Sequence, residues 1–361
     1  ISVGLEKAWK YCEERNMPRF IYISKIDEDH SDYNATFDAL RERFGNKIAP
    51  VVVPTLDENK KVTGLMDILN KRAYEMQGVQ AVEIGTGNWS GAPHIDLDEL
   101  LGSETARQRW MDQLRRRDIA LCALNCSGNP LAFQKDWEVT EKTFRLAGLL
   151  GVEKIVMMSG LPAGCPDDKT PVWITTSWPP ETQDILDYQW NEVAIPKWKE
   201  LVRMAEDCGI RQIALENHGM QLVYNPETLF CLREAVGPMV GMNLDPSHLF
   251  WMGGDPIEAA RVLGERDALY HVHGKDSRPE RRMAGPNGLL DTKPIDQFRT
   301  RSWNYVAVGC GHGAQWWKEF FSTVRMAGYD GDVSLEMEDL TMPMLEGHLT
   351  SLRVLKEALV L

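Results

Sequence analysis

Four groups able to bind a cation or move a proton stand at the ends of four successive apolar runs. Glu216 ends "RQIALE", Asp245 ends "PMVGMNLD", His273 lies in "ALYHVHGKD" and Glu336 in "GDVSLEMED". Three carboxylates and one imidazole gathered at a point conflict, because like charges at close range force proton uptake. A divalent cation removes the conflict. One His with several carboxylates suits Mn²⁺, Mg²⁺ or a similar hard-to-borderline ion, with positions left for water or substrate oxygens. More polar residues crowd the same ends. They are Glu83 in "VQAVEIG", His218 two residues after Glu216, His248 three after Asp245, His271 two before His273, and Lys275 two after it. One His or Glu at a strand end is more often a cap or turn residue than a ligand. The joint occurrence on four consecutive runs singles these out.

Such residues converge only if a scaffold aims them. Side chains alternate along a strand, so His271 and His273 share one side, as do Glu336 and Glu338. One of each pair then sits deeper and the other nearer the rim. Adjacent strands lie about 4.8 Å apart, so four neighbours can reach one point. Apolar, β-rich runs recur at 47–54, 79–85, 118–126, 153–160, 211–219, 238–248, 268–276 and 331–339, each followed by a helical pattern. They are continuous rather than alternating, as parallel strands covered on both faces require. Helical stretches end at Gly78, Gly151, Gly209 and Gly237, in the manner of glycine C-caps. Eight such units predict an α/β fold, a (β/α)8 TIM barrel over 47–361 whose active face is the C-terminal end of its strands. A doubly wound open sheet is the structural alternative. Residues 1–46 fall outside this count and read as an additional helix–strand–helix, with "RFIYISK" as its strand.

Composition narrows the partners. The 361 residues carry 53 Asp+Glu against 40 Lys+Arg, a net charge of −13, which opposes a nucleic-acid surface. No apolar run approaches the roughly 20 residues that span a bilayer, and "ISVGLEKAWKYCEERN" has no apolar signal core. Seven cysteines, an odd number without C-x-x-C spacing, argue against a disulfide framework or a cysteine zinc site. The expectation is a cytoplasmic protein with a small-molecule partner, no nucleic acid and no membrane, and room for a homo-oligomer.

"VEIGTGNW", "LNCSGNPL", "MMSGLPAG", "LENHG", "VYNPETL", "NLDPSHLFW", "YHVHGKD", "GLLDTKP" and "SLEMED" together resemble the sugar phosphate isomerase/epimerase family, the xylose isomerase-like barrels, over about 78–361. The resemblance implies one catalytic divalent metal, often Mn²⁺ with Mg²⁺, Co²⁺ or Zn²⁺ as alternatives. Its ligands would be Glu216, Asp245, His273 and Glu336. It also implies that His248 contacts a substrate hydroxyl and that Glu216 and Glu336 move the proton. Inversion next to a carbonyl needs a base on each face and an electrophile for the enediolate. Glu83, His218, His271 and Lys275 complete the expected carbohydrate-binding set. The implied activity is that of a sugar or sugar phosphate isomerase or epimerase. A metal-dependent lyase or dehydratase on a keto-sugar or inosose begins with the same proton removal and is a second reading. A non-catalytic or impaired barrel is a third.

Two further segments stand out. His273 and Glu336 are 63 residues apart, against 29 for Glu216 to Asp245 and 28 for Asp245 to His273. The extra stretch, rich in Arg, Gly and Trp, is expected to fold over the active face as a lid, with Arg278, Arg301, Trp303 and His312 as contacts. The segment "TTSWPPE" (175–181) is expected to contribute similarly. Residues 5–76 instead resemble the nucleotide-specificity region of elongation-factor-G-like translational GTPases. There "SKID" (24–27) stands where those proteins have N-K-x-D. The phosphate-binding G-x-x-x-x-G-K-[ST] loop and the D-x-x-G element are absent, so GTP binding is not expected. The join falls near 76–78, and the chain reads as a chimera or a mis-joined sequence. If 47–76 still supplied the first barrel unit, the residues that strand normally brings to the site would be replaced.

Overall fold

The computed structural model describes residues 3–15, 17, 21, 23, 32–45, 52–56, 62–67, 72–75 and 79–359. The chain divides into two compact units, Ile1–Gly78 and Val79–Leu361.

In the first unit, Val3–Glu14 and Tyr33–Phe44 are helices, stacked through Trp9 and Phe44 with ring centroids 4.4 Å apart. Asp32 caps the second by accepting from the Ala35 amide. The "SKID" residues and most of "RFIYISK" lie outside the described residues. The expected first barrel unit takes a different form. Val52–Leu56 pairs antiparallel with Val62–Asp67, and that strand pairs antiparallel with Arg72–Glu75. Stretches read as a helix over "GLMDILNKRAYEM" therefore contain strands. Local composition there is compatible with either state, and the pairing partner decides.

In the second unit, seven parallel strands form one sheet: β1 (Ala81–Gly85), β2 (Ala120–Asn125), β3 (Lys154–Met157), β4 (Gln212–Glu216), β5 (Val240–Leu244), β6 (Leu269–Gly274) and β7 (Val333–Leu335). They are hydrogen-bonded in chain order, with β1 and β7 as the two edges, giving a nearly closed barrel of the TIM type. Helices such as Gln134–Leu150, Ile195–Asp207, Pro226–Val236, Pro256–Gly264, Ala314–Met326 and Met344–Ala358 cover it. Leu146, Trp198, Leu201, Ile213, Met242, Trp317 and Phe320 are buried in one continuous core. Burial of so many large side chains, each contributing about 1.5–3 kcal/mol, holds the strand ends in place. Gly151 closes Gln134–Leu150 in the left-handed region (φ 72°), as expected of a C-cap; Gly78 lies outside the described residues. Among the described residues no helix is long and apolar enough to cross a membrane.

The long stretch after β6 is partly ordered by a two-stranded antiparallel ribbon, Asp276–Pro279 against Trp303–Val306. Asp276 anchors its base. Its carboxylate accepts from the amides of Gly309, Gly311 and His312.

Candidate metal centre

The register of the sheet sets the site. Leu244 pairs with Val272, one residue before Asp245 and His273, after a bulge between Met242 and Asn243. On the other side, Glu216 pairs with Asn243 and His273 with Ser334, two residues before Glu336. Four adjacent strands therefore end with Glu216, Asp245, His273 and Glu336 at their mouths. Asp245 also caps the helix Pro246–Met252: Oδ1 accepts from the Ser247 amide at 2.8 Å, and Pro246 opens the first turn. That helix carries His248 back over the site.

The four groups meet. His273 Nδ1 lies 3.5 Å from Glu336 Oε1 and 3.7 Å from Asp245 Oδ2. Glu216, Asp245 and His273 each offer one ligand atom within 4.8 Å of the others. Asp245 Oδ2 and His273 Nδ1 are both buried with no hydrogen-bond partner. Buried polar atoms normally have partners, so two orphans aimed at one point fit a cation-binding role. Two other His–carboxylate groupings fit less well. In Glu216–His218–His248, His248 Nε2 contacts Glu216 Oε1 at 2.9 Å and Nδ1 meets the Tyr305 hydroxyl at 3.3 Å. In Glu83–His271–His273, the His271 nitrogens are taken by Glu83, Ser334 and Tyr329.

The electrostatics agree with this division. Burial, then the nearby Glu336, push the Glu216 carboxyl up to about 7. Burial opposes charge on His273, but Glu336 and Glu83 outweigh it and hold the ring well above its ordinary value. For His248, burial and then His218 hold it well below, so it is neutral at pH 7. Its partners assign the proton: Nε2–H donates to Glu216 and Nδ1 accepts from the Tyr305 hydroxyl. Lys275 is buried and donates to Glu336 Oε2 at 2.9 Å and Glu338 Oε1 at 3.0 Å. Burial raises the Glu336 carboxyl, but Lys275 outweighs it and holds the group below its ordinary value. Glu216 is closed from solvent with its side chain 4% exposed, while Glu336 is open at 32%.

The remaining expected contacts divide. His248, His218 and Lys275 surround the centre, the first two with rings 4.1 Å apart. Glu83 and His271 lie against each other deeper in the barrel, with Glu83 Oε1 also accepting from Asn125 Nδ2 at 2.6 Å. Of the expected lid contacts, each is held by protein. Arg278 pairs with Glu280; Arg301 donates to the Trp303 and Lys293 carbonyls; Trp303 stacks on Trp251 at 5.0 Å; His312 pairs with Asp276 and stacks on Phe250. The ribbon reaches the site instead through Tyr305. Alternation in "SWNYVAV" puts Trp303 and Tyr305 on one side, which was the available signal. Gly219 makes room for this wall, since a Cβ there would meet the Trp251 ring at 2.5 Å. In "TTSWPPE", Trp178 is exposed to solvent. A surface groove that includes Glu227, Phe230, Glu258 and Arg266 lies on the outer helices.

The model of the xylose isomerase-like TIM barrel family matches residues 71–358, and the chain belongs to that family. It is 60% identical over 299 residues to the uncharacterized protein YfiH of Bacillus subtilis, covering 81% of this chain and 94% of that protein. Among solved structures it is similar to a D-tagatose 3-epimerase-like protein (TM-score 0.52, 20% identity, 77% of this chain and 88% of that one). It is equally similar to the IOLI protein with a binding zinc atom (TM-score 0.52, 18% identity, 79% and 91%). Identities this low establish the shared fold. A separate match, 29% identical over 83 residues, is to the elongation factor G-like protein of Thermotoga maritima, and spans 23% of this chain but only 12% of that protein.

Proposed function

We propose that this member of the xylose isomerase-like barrels is a divalent-metal-dependent isomerase or epimerase of a small sugar or sugar phosphate, working by proton transfer next to a carbonyl. The observation that carries the reading is the pair of orphaned atoms, Asp245 Oδ2 and His273 Nδ1, set between Glu216 and Glu336. Glu216, Asp245, His273 and Glu336 would hold the ion. The donor set of three carboxylates and one imidazole favours Mn²⁺. When bound, the cation supplies Lewis-acid stabilisation of negative charge on substrate oxygens.

The chain's own groups do the rest. Glu216 and Glu336 stand at the two ends of a four-strand arc, so each can face a different side of a bound sugar. Glu216 takes or returns a proton, held by His248 Nε2 and enclosed from water. Glu336 does so from the open side, held by Lys275 through its other oxygen. A positioned base contributes about 10²–10⁴-fold. His248 and His218 line the wall where sugar hydroxyls would lie.

The test is incubation of Mn²⁺-loaded protein with a panel of ketoses and ketose phosphates in D2O, followed by NMR. Deuterium at the carbon beside the carbonyl, with an isomeric product, is the expected result. Exchange with loss of water would replace isomerase by lyase, and no exchange with any member would count against both.

Two further outcomes are expected. Ligands must shed protons to bind metal. With the Glu216 carboxyl at about 7 and His273 held protonated, Mn²⁺ affinity should rise with pH through 7. Calorimetry in two buffers should show at least one proton released per ion; a flat affinity between pH 6 and 8 would contradict this. Without metal the sign is opposite for stability. A carboxyl whose folded value is raised favours the fold at low pH, and that contribution is lost as pH rises through about 7. Tyr305→Phe removes the hydroxyl that donates to His248 Nδ1. A neutral hydrogen bond contributes about 0.5–1.5 kcal/mol, so kcat/KM should fall about 2–10-fold with metal affinity unchanged. An unaltered kcat/KM would place the ribbon outside the reaction.

A further inference from the structure

We infer that Glu83 is a positioning residue of this centre, which fixes the His273 tautomer that turns Nδ1 toward the ion; this rests on the metal reading above. His273 Nε2 faces Glu83 Oε2 at 3.3 Å, whereas Nδ1 has no hydrogen-bond partner and looks toward Asp245 Oδ2 and Glu336 Oε1. A neutral imidazole carries one N–H and one lone pair. In the neutral, ligating ring the Glu83 carboxylate at hydrogen-bond distance keeps the N–H on Nε2, and the lone pair is left on Nδ1. Metal-binding histidines commonly donate their other N–H to a carboxylate, which sets ring orientation and raises ligand basicity.

Glu83 is built for this role. Its Oε1 accepts from Asn125 Nδ2 at 2.6 Å, and its Oε2 also meets His271 Nε2 at 3.0 Å, so the carboxylate cannot swing away. Asn243 belongs to the same arrangement. Its amide lies 3.0 Å from His273 Nε2 with Oδ1 buried and unpartnered, and the reversed amide orientation sets that oxygen against the ring N–H. The position in the fold matters as well. Glu83 stands on β1, one edge of the sheet, and the rings it holds stand on β6, next to the other edge. His271 Nε2 also contacts Ser334 Oγ of β7 at 2.8 Å. Side chains therefore link the two edges where backbone pairing does not. With both oxygens engaged, Glu83 acts on the ligand His rather than on a sugar.

The experiment titrates purified full-length protein with Mn²⁺, reading free ion by EPR and unfolding by calorimetry, for wild type, Glu83→Ala, Glu83→Gln and His271→Ala. Glu83→Ala should weaken Mn²⁺ binding about 10–100-fold. Glu83→Gln, whose amide oxygen still accepts, should weaken it less. His271→Ala removes one of the two anchors of Glu83 but leaves Asn125 on Oε1, and should weaken binding less than Glu83→Ala, whatever it does to Tm. Wild-type affinity in Glu83→Ala, or equal weakening in His271→Ala, would overturn the inference in favour of a purely structural link. If the alanine variant does not fold, Glu83→Gln decides by the same comparison. Failure of wild type itself to bind Mn²⁺ would remove the metal reading and this inference with it, an outcome distinct from the others.

Discussion

Glu336→Gln is expected to lower turnover by about 10²–10⁴-fold, the range that a positioned general base contributes. Gln has nearly the shape of Glu but can neither accept a proton nor supply negative charge. Glu336 is the more open of the two candidate bases, and its two oxygens have separate tasks. Oε2 is held by Lys275 at 2.9 Å, while Oε1 faces His273 Nδ1 at 3.5 Å. The substitution removes the ion pair as well as the base. Lys275, buried, would then keep Glu338 as its anionic partner at 3.0 Å. Leaving a buried charge wholly unpaired costs about 3–5 kcal/mol, and Glu338 limits that cost here. Glu336→Gln should thus fold, bind Mn²⁺ more weakly than wild type and fail in turnover even at saturating metal. Steady-state kinetics at a metal concentration fixed by titration separates the two losses. Near-normal kcat under those conditions would show that Glu336 is not the open-side base.

How much of this could be read from sequence follows from which interactions are local. Glu216, Asp245, His273 and Glu336 were legible because each follows an apolar run whose length fixes where its strand ends. Asp245 was legible twice, since D-P-S-H also marks a capped helix start. Asn243 was hidden inside "GMNL", where a polar residue reads only as an interruption. Tyr305 depended on a ribbon whose two arms, Asp276–Pro279 and Trp303–Val306, are joined by a long excursion that no local periodicity announces. The tryptophans drew notice there, yet they serve the wall: Trp303 stacks on Trp251. The stretch 47–78 misled for a related reason. "VVVP" is strand-forming in either setting, and the antiparallel pairing of Val52–Leu56 with Val62–Asp67 is a long-range choice that composition does not announce. Glu83 was visible as a polar residue at a strand end, but its partners are about 190 positions away on β6. Long-range pairing decided its orientation.

Asp245→Asn should separate the fold from the metal centre more cleanly than any other change. The carboxylate has two oxygens with two duties. Oδ1 caps the helix Pro246–Met252 through the Ser247 amide, and Oδ2 is buried without a partner, 3.7 Å from His273 Nδ1 and 3.5 Å from His248 Nε2. Asn can keep the cap with its own oxygen, because Asn and Asp are equally good at that position. Its NH2 group then replaces Oδ2, presenting a donor where the cation needs an anion. Loss of Mn²⁺ affinity should exceed the 10–100-fold typical of an outer-shell partner, and turnover should fall with it. Stability carries the second readout. An ion that binds only the folded state at a hundred times its Kd stabilises by about 2.7 kcal/mol, a rise in Tm on the order of 5 °C for a barrel of this size. Wild type should show that rise on adding Mn²⁺ and Asp245→Asn should not, while the two share a similar Tm in EDTA. Equal Mn²⁺ shifts in both proteins would move the cation away from Asp245, and with it the assignment of the four strand ends as one centre.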